Sequence, residues 1–345
     1  MEKVLRRKPE IAVAKAVRQR IGMLRPIKFL RQRNRGGTSD FPIEAIERAL
    51  LARGVPAVDN DASAVRLAGK VAARAGCTRF VAQISRTAFV VPIMGPCFYR
   101  FFPIVYGAET IPLAHDCWEP QFDRWAAFLK RARIRRAFFT ARAAAEAMNA
   151  RVPGLRAEWL PEGIELGFFP YETPLSARGI DILELGRRSN AFHEVARPYC
   201  EKQGYRHLYQ KSARELVFDT REAFRRGMAD TKLLICFPSS QTNPERSGTV
   251  ETMTLRYLEG IACKSVILGH APAELVDLFG YNPVVEVDFT EPARQIDQLL
   301  AHIDDHQPLV ERNFARLADV GTWDVRIRDL IDRLSRDGIV PASQI

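Results

Sequence analysis

The chain has 345 residues, of which 47% are hydrophobic and 27% are charged, which is typical of a soluble globular protein. This length suits two domains of ordinary size better than a single core. The net charge is +10, and the whole excess falls on residues 1–35, which hold twelve basic and two acidic residues. The remaining 310 residues contain equal numbers of basic and acidic residues. Their composition therefore predicts no strongly charged surface for the rest of the protein.

Residues 1–20 form a basic arm with a partial apolar face, to which Ile11, Val13 and Val17 contribute. Such an arm suits an anionic membrane surface or a nucleic acid, and a solvated helix is the plain alternative. We expect an anionic membrane surface, contacted through residues 1–35, rather than a nucleic acid. Basic residues are not interleaved with stacking aromatics, as single-strand binders need.

The most apolar segment, 88–108, is interrupted by Pro92, Pro96 and Arg100, so it is not expected to span a membrane. The first 30 residues lack the apolar core of a signal peptide. The six cysteines have no paired short spacing, which favours reduced core thiols over a zinc site or disulfides. The expected location is the cytoplasm, with possible contact at the inner face of the membrane.

Strand-like and helix-like segments alternate from residue 21 to 168. Strands are predicted at 27–30, 55–58, 80–84, 110–114, 137–140 and 157–160, and helices at 43–51, 62–75, 121–131 and 141–148. This alternation predicts an α/β fold with a parallel, doubly wound sheet.

A Pro- and turn-rich stretch at 161–174 predicts a linker, after which the alternation restarts with a strand at 181–185. Further strands are predicted at 232–238 and 265–268. The predicted division is therefore an arm (1–20), an acceptor-side Rossmann-like domain (21–168), a nucleotide-sugar-binding Rossmann-like domain (175–322) and a returning C-terminal helix (323–345).

Two glutamates eight residues apart, Glu251 and Glu259, lie between the last two of these strands. A polar loop leads into a helix that carries the small residues Gly260, Ala262 and Cys263. A helix that starts next to Thr252–Thr254 would present backbone N–H groups and its positive dipole end to an anion.

This segment resembles the Glu-x7-Glu element of retaining, nucleotide-sugar-dependent glycosyltransferases with the GT-B fold (glycosyl transferases group 1, family 4-like). Other weaker matches follow the family's order over some 300 residues. They are Gly36 and Gly37, the helix end at 50–54, the strand end at 114–116, and the segments 138–145, 160–164 and 321–323. The resemblance implies two Rossmann-like domains with a cleft between them.

The resemblance also implies a donor site. Glu259 would accept two hydrogen bonds from the ribose diol, and Glu251 would meet the hexose or its phosphate. His115 and Asp116, at a strand end of the first domain, would position sugar or acceptor in a catalytic role. The remaining donor-binding residues would be Gly36, Gly37, Thr252, Met253, Thr254 and either Arg187 or Arg188, whose guanidinium groups suit a diphosphate.

The implied reaction moves a sugar from a UDP- or GDP-type donor to a glycan or lipid-linked acceptor, with retention of anomeric configuration. No cofactor and no metal ion is expected. Asp59, Asn60 and Asp61 match the Asp-x-Asp metal motif of the other transferase architecture, GT-A, but this sequence also favours a turn. A sugar-nucleotide epimerase with the GT-B fold, or a non-catalytic basic binding protein, remains the alternative.

Overall fold

The computed structural model describes residues 26–31, 41–59, 63–75, 87–96, 102, 104, 108–170, 173–186, 188–211 and 215–340. Within these ranges no helix is long and apolar enough to cross a membrane. The basic arm, the predicted strand at 80–84, Gly36, Gly37 and Arg187 lie outside the described residues.

The first half of the chain forms a six-stranded parallel sheet in the order β2-β1-β3-β4-β5-β6. Its strands are β1 (Ile27–Arg31), β2 (Ala57–Asp59), β3 (Ala88–Met94), β4 (Glu109–His115), β5 (Arg136–Phe139) and β6 (Arg156–Trp159). Its helices are α1 (Phe41–Ala52), α2 (Ser63–Arg74), α3 (Phe122–Arg131) and α4 (Arg142–Arg151).

The second half forms a five-stranded parallel sheet in the order β11-β10-β9-β7-β8. Its strands are β7 (Ile180–Glu184), β8 (His207–Tyr209), β9 (Thr231–Cys236), β10 (Val266–Gly269) and β11 (Val285–Glu286). Its helices are α5 (Asn190–Gln203), α6 (Arg221–Ala229), the single turns α7 (Ser239–Thr242) and α8 (Pro244–Ser247), α9 (Leu255–Ala262), α10 (Ala273–Phe279), α11 (Pro292–Ala301) and α12 (Gln307–Val320). The two sheets with their interspersed helices confirm the α/β class.

Each sheet has an apolar core on both faces, because successive strand residues point to opposite sides. Leu30 of β1 packs in one core with α3 and α4, while its neighbour Phe29 packs in the other with α1. The final helix, α13 (Trp323–Arg336), also packs in the Phe29 core, through Trp323 and Ile327. The chain therefore crosses back from the second sheet to the first after α12.

Strand β3 lies inside the first sheet between β1 and β4, and it was not predicted from the sequence. Its continuous apolar run was compared only with the length that a membrane span needs. Pro92 is paired with Leu113 of β4, so this sheet accommodates a proline within an interior strand. The continuous run matches the strand's position, since strands covered on both faces are apolar throughout rather than alternating.

Short-range sequence features determine where α5 begins and ends and how closely α9 packs on its sheet. The hydroxyl of Ser189 accepts the N–H of Phe192 at the start of α5, and Gly204 ends that helix in a left-handed conformation. Gly260 lets α9 approach its sheet, because a Cβ there would meet Ile267 and Leu234 at 2.4 Å. The small residues of this segment thus serve close packing of α9 on β9 and β10.

Candidate functional site

A cleft of about 310 Å³ lies between the two halves, at the carboxyl ends of strands from both sheets. Ligands in open α/β sheets bind at this edge of the strands. Six residues of the predicted site line it: His115, Asp116, Thr252, Met253, Thr254 and Glu259. Predicted residues therefore lie on both walls of the cleft.

The first wall is centred on His115, the last residue of β4, which is almost completely buried. Its Nδ1 lies 2.9 Å from Oε1 of Glu162, and its Nε2 has no hydrogen-bond partner among the described residues. Burial lowers the pKa of His115, but the Glu162 carboxylate outweighs it, so the pKa is raised above its ordinary value. Nε2 is thus a buried ring nitrogen whose hydrogen-bonding capacity the described residues leave unsatisfied.

Glu162 belongs to the 160–164 segment that matches the transferase family, and no role was predicted for it from the sequence. It follows β6 and also lines the cleft. A strand-end histidine gives no sequence signal for which distant carboxylate will orient it, so this pairing over 47 residues was missed.

Asp116 lies beside His115 with a φ of +52°, in the left-handed region that non-glycine residues rarely adopt. Its carboxylate lies 3.4 Å from a guanidinium nitrogen of Arg246, which follows β9 in the other half. Asp116 therefore contributes an ion pair across the cleft, a contact that the sequence did not predict.

The second wall is centred on Glu259, a buried carboxylate on α9. Its Oε2 lies 2.5 Å from Nη1 of Arg256, one turn earlier on the same helix. Burial raises the pKa of Glu259, and Arg256 only partly opposes that effect. Arg256 also lines the cleft, and the sequence analysis missed it although the spacing of three residues on a helix places both side chains on one face.

The loop 252–254 leads directly into α9, as the sequence predicted. The helix begins at Leu255, with Thr254 at the N-cap position and no side-chain capping bond. Thr252 and Met253 precede the helix, and the Glu274 carboxylate accepts both the Thr252 hydroxyl (2.6 Å) and the Met253 N–H (3.3 Å). The Met253 N–H is therefore already partnered within the protein.

Glu274 itself is buried at the start of α10, and its second oxygen accepts the backbone N–H of Arg142 from the first half, at 2.6 Å. Burial raises the pKa of Glu274, against the hydrogen bonds from Thr252 and Arg142. One buried carboxylate thus fixes the loop before α9 and joins it to α4.

A further contact, between Glu119 and Thr249, also joins the two walls. Glu119, in the turn after β4, accepts the N–H (2.6 Å) and the hydroxyl (2.7 Å) of Thr249. These bonds lower the pKa of Glu119. Gly248 has a φ of +61°, and a Cβ there would lie 2.3 Å from the Glu119 carboxylate, so only glycine fits this approach.

Two other predicted residues are not among those that line the cleft. The Glu251 carboxylate is partly exposed and lies 3.6 Å from Nε2 of His270, which follows β10. Arg188 donates to the carbonyl of Gln210 and lies over the Tyr209 ring. Their roles, and those of Gly36, Gly37 and Arg187 outside the described residues, stay predictions.

Asp59, the first residue of the alternative Asp-x-Asp metal motif, lies at the edge of the first sheet. Asp59 is the last residue of β2, the edge strand, and its carboxylate lies 3.3 Å from Nη1 of Arg31. It does not line the cleft, while Asn60 and Asp61 lie outside the described residues. The described position of Asp59 therefore separates it from the cleft residues.

No protein-family model matches the chain, and no curated protein matches it. Solved structures do resemble it. Anabaena HepE in complex with UDP and glucose superposes with a TM-score of 0.53 at 11% identity, over 90% of this chain and 99% of that one.

Two further solved structures also resemble the chain. A UDP-forming α,α-trehalose-phosphate synthase from Burkholderia vietnamiensis has a TM-score of 0.52 at 12% identity, over 90% of this chain and 94% of that one. AviGT4, a glycosyltransferase of avilamycin A biosynthesis, has a TM-score of 0.53 at 11% identity, over 90% and 97%. At such low identity the likeness concerns the fold, and the fold of this chain is GT-B.

Proposed function

We propose that the protein is a glycosyltransferase that moves a sugar from a nucleotide-diphosphate sugar to a glycan or lipid-linked acceptor, with retention of anomeric configuration. The observation that carries the proposal is the pair of the buried Glu259 and the partly buried Arg256, which lines the same cleft of a GT-B fold as His115 and Glu162. A carboxylate and a guanidinium side by side suit a ligand that carries a diol next to a diphosphate.

The donor would lie along the second wall. The Glu259 carboxylate accepts the two ribose hydroxyls, and Arg256 with the N-terminal end of α9 meets the diphosphate oxygens. Arg256 thus joins Arg187 and Arg188 as a candidate diphosphate ligand. The UDP and glucose bound to HepE support a donor of the UDP type.

The reacting sugar would lie between the walls. His115 offers its free Nε2 to a sugar or acceptor hydroxyl, and Glu162 orients the ring. The transition state is oxocarbenium-like, and the leaving diphosphate helps to deprotonate the acceptor hydroxyl. His115 therefore has a positioning and electrostatic role rather than that of a dedicated base. Glu251 is proposed to act on the hexose, and Glu251→Ala should lower turnover.

The acceptor is proposed to be membrane-associated, because the net charge of +10 falls on residues 1–35. Each basic residue near an anionic surface contributes about 1 kcal/mol of binding energy. Deleting residues 1–20 should abolish salt-sensitive binding to anionic vesicles and spare turnover of a soluble acceptor analogue. Absence of vesicle binding by the full-length protein at low salt would remove this part of the proposal.

The transferase proposal is tested with a panel of nucleotide sugars in a thermal-shift experiment. A ligand that binds the native state raises its stability by RT ln(1 + [L]/Kd), so the donor should raise the melting temperature. Product analysis with an acceptor then separates transfer from epimerisation, which changes the sugar without joining it to the acceptor. The transfer is proposed to need no metal ion, so Asp59→Ala should leave turnover nearly unchanged.

A further inference from the structure

Three ionisable side chains meet inside the second half, and none of them is among the residues that line the cleft. Glu184 ends β7, His193 lies in the first turn of α5, and His207 begins β8. Nδ1 of His193 and Nε2 of His207 each lie 2.8 Å from the same oxygen, Oε1 of Glu184. All three side chains are at least nine-tenths buried.

The sequence brings the three together by register and helix phase. In the parallel β7–β8 pair, His207 is opposite Ile182 and Tyr209 is opposite Glu184, so these side chains share one face of the sheet. The start of α5 packs on that face through Phe192, next to Ile182. His193 is the next residue, and it reaches the strand end.

The hydrogen-bond pattern is incomplete for a purely internal network. Both imidazoles converge on Oε1, while Oε2 of Glu184 and Nδ1 of His207 are buried with no hydrogen-bond partner in the described part of the chain. Leaving a buried polar atom without a hydrogen-bond partner is destabilising. A carboxylate oxygen of Glu184 and one nitrogen of each imidazole lie within 4.8 Å of one another, so the three side chains can bind a single cation, to which the unpartnered Oε2 can also contribute.

We propose that Glu184, His193 and His207 bind one divalent transition-metal ion, and that this ion is zinc. Imidazole nitrogen and carboxylate oxygen are ligands that zinc prefers, and three protein ligands leave a fourth position for water. Zinc needs neutral imidazoles and an ionised carboxylate, so binding releases any proton shared within the cluster. The inference is independent of the proposed transferase function.

The proposed ion has a structural role. It ties β7, α5 and β8 together close to Arg188, which lies over the Tyr209 ring. That ring in turn contacts both histidines, with centroid separations of 4.7 and 5.0 Å. We expect zinc to stabilise this junction of three elements.

The test uses full-length protein stripped of metal with a chelator and then titrated with Zn²⁺ by calorimetry. Wild type should bind one Zn²⁺ per chain, its melting temperature should rise, and Co²⁺ should give visible d–d bands that Zn²⁺ removes. Glu184→Gln and His207→Ala should each weaken binding at least about tenfold, since even residues that only support metal ligands cost that much.

The matched control is His270→Ala, which removes a histidine that lies between two carboxylates, Glu251 and Glu286, on a more exposed surface. It should leave the zinc affinity unchanged. Loss of binding in His270→Ala but not in His207→Ala would overturn the proposal. So would metal-free wild type that folds, binds no Zn²⁺ and melts at the same temperature with and without it, a result that does not depend on any variant folding.

Discussion

Each wall of the cleft holds an acid–base pair with one buried and one partly buried partner, but the two pairs form differently. On the second wall, Arg256 and Glu259 come from one turn of α9. On the first wall, His115 at the end of β4 meets Glu162 after β6, across 47 residues. The first pair depends only on the formation of a helix, whereas the second depends on the correct order of three strands.

The pairs also differ in the sign of the buried charge that depends on a partner. Glu259 is buried and its pKa is raised, so its ionised form relies on Arg256. His115 is buried and its pKa is raised, so its protonated form relies on Glu162. Removal of the partner should therefore strand a negative charge on one wall and a positive charge on the other.

Arg256→Ala should have the largest effect, because it leaves the buried Glu259 carboxylate without its ion-pair partner. We expect a loss of about 3 kcal/mol in the free energy of unfolding at neutral pH. The folded state holds the Glu259 proton more tightly than the unfolded state, so it binds more protons and its stability falls as pH rises. The loss should therefore shrink as pH falls through the raised pKa of Glu259.

Urea unfolding of Arg256→Ala at several pH values measures this loss. The double variant Arg256→Ala/Glu259→Gln removes the stranded charge and should recover much of the stability. A loss that is the same at acid and alkaline pH would show that packing of the Arg256 side chain, and not the charge of Glu259, is responsible.

Glu162→Gln should have a smaller effect, about 1 kcal/mol, because it replaces one charge-assisted hydrogen bond by a neutral one. The raised pKa of His115 contributes stability that is present below the unfolded-state pKa and is lost as pH rises through the folded-state pKa. The variant should therefore differ from wild type in acid solution and converge with it in alkali. Histidine titration by NMR should show a lower pKa for His115, and an unchanged pKa would contradict the pairing.

Glu119→Ala should act most locally, on the contact between the walls. The variant loses the acceptor of the Thr249 N–H, so this amide should exchange its hydrogen faster while the core strands are unaffected. Hydrogen exchange of a peptide that contains Thr249 measures the change, with Glu146→Ala on the exposed face of α4 as the control. Equal exchange in both variants would mean that this bond does not hold the walls together.

The contrast between a pair within one helix turn and a pair between distant strand ends also explains which parts of the site could be predicted from the sequence. Period and caps predicted α9, β9 and β10, and hence the position of Glu259, because these signals are local. The spacing of eight residues did not place Glu251 on the same helix face, since α9 begins only at Leu255. Glu251 instead lies in the extended segment before the helix, beside His270.

Long-range partners were beyond prediction for a physical reason. The pairing of His115 with Glu162, and the convergence of Glu184, His193 and His207, both depend on strand order and register, which no local pattern encodes. The strand β3 was missed because a continuous apolar run carries no alternation, and this run, which Pro92 interrupts, was compared only with a membrane span. The two-sheet GT-B architecture itself was predicted, because it depends on the alternation of elements over the whole chain.

Glu259 is proposed to hold the ribose of a nucleotide donor in this cleft. Calorimetry should compare the best nucleoside diphosphate of the panel with its 2′,3′-dideoxy analogue, on wild type and on Glu259→Gln. Wild type should bind the dideoxy analogue roughly tenfold or more weakly, because hydrogen bonds to a carboxylate are lost. Glu259→Gln should lose most of that discrimination, while Glu146→Ala keeps it. Equal discrimination by wild type and Glu259→Gln, or no binding of any nucleoside diphosphate to wild type, would contradict the claim.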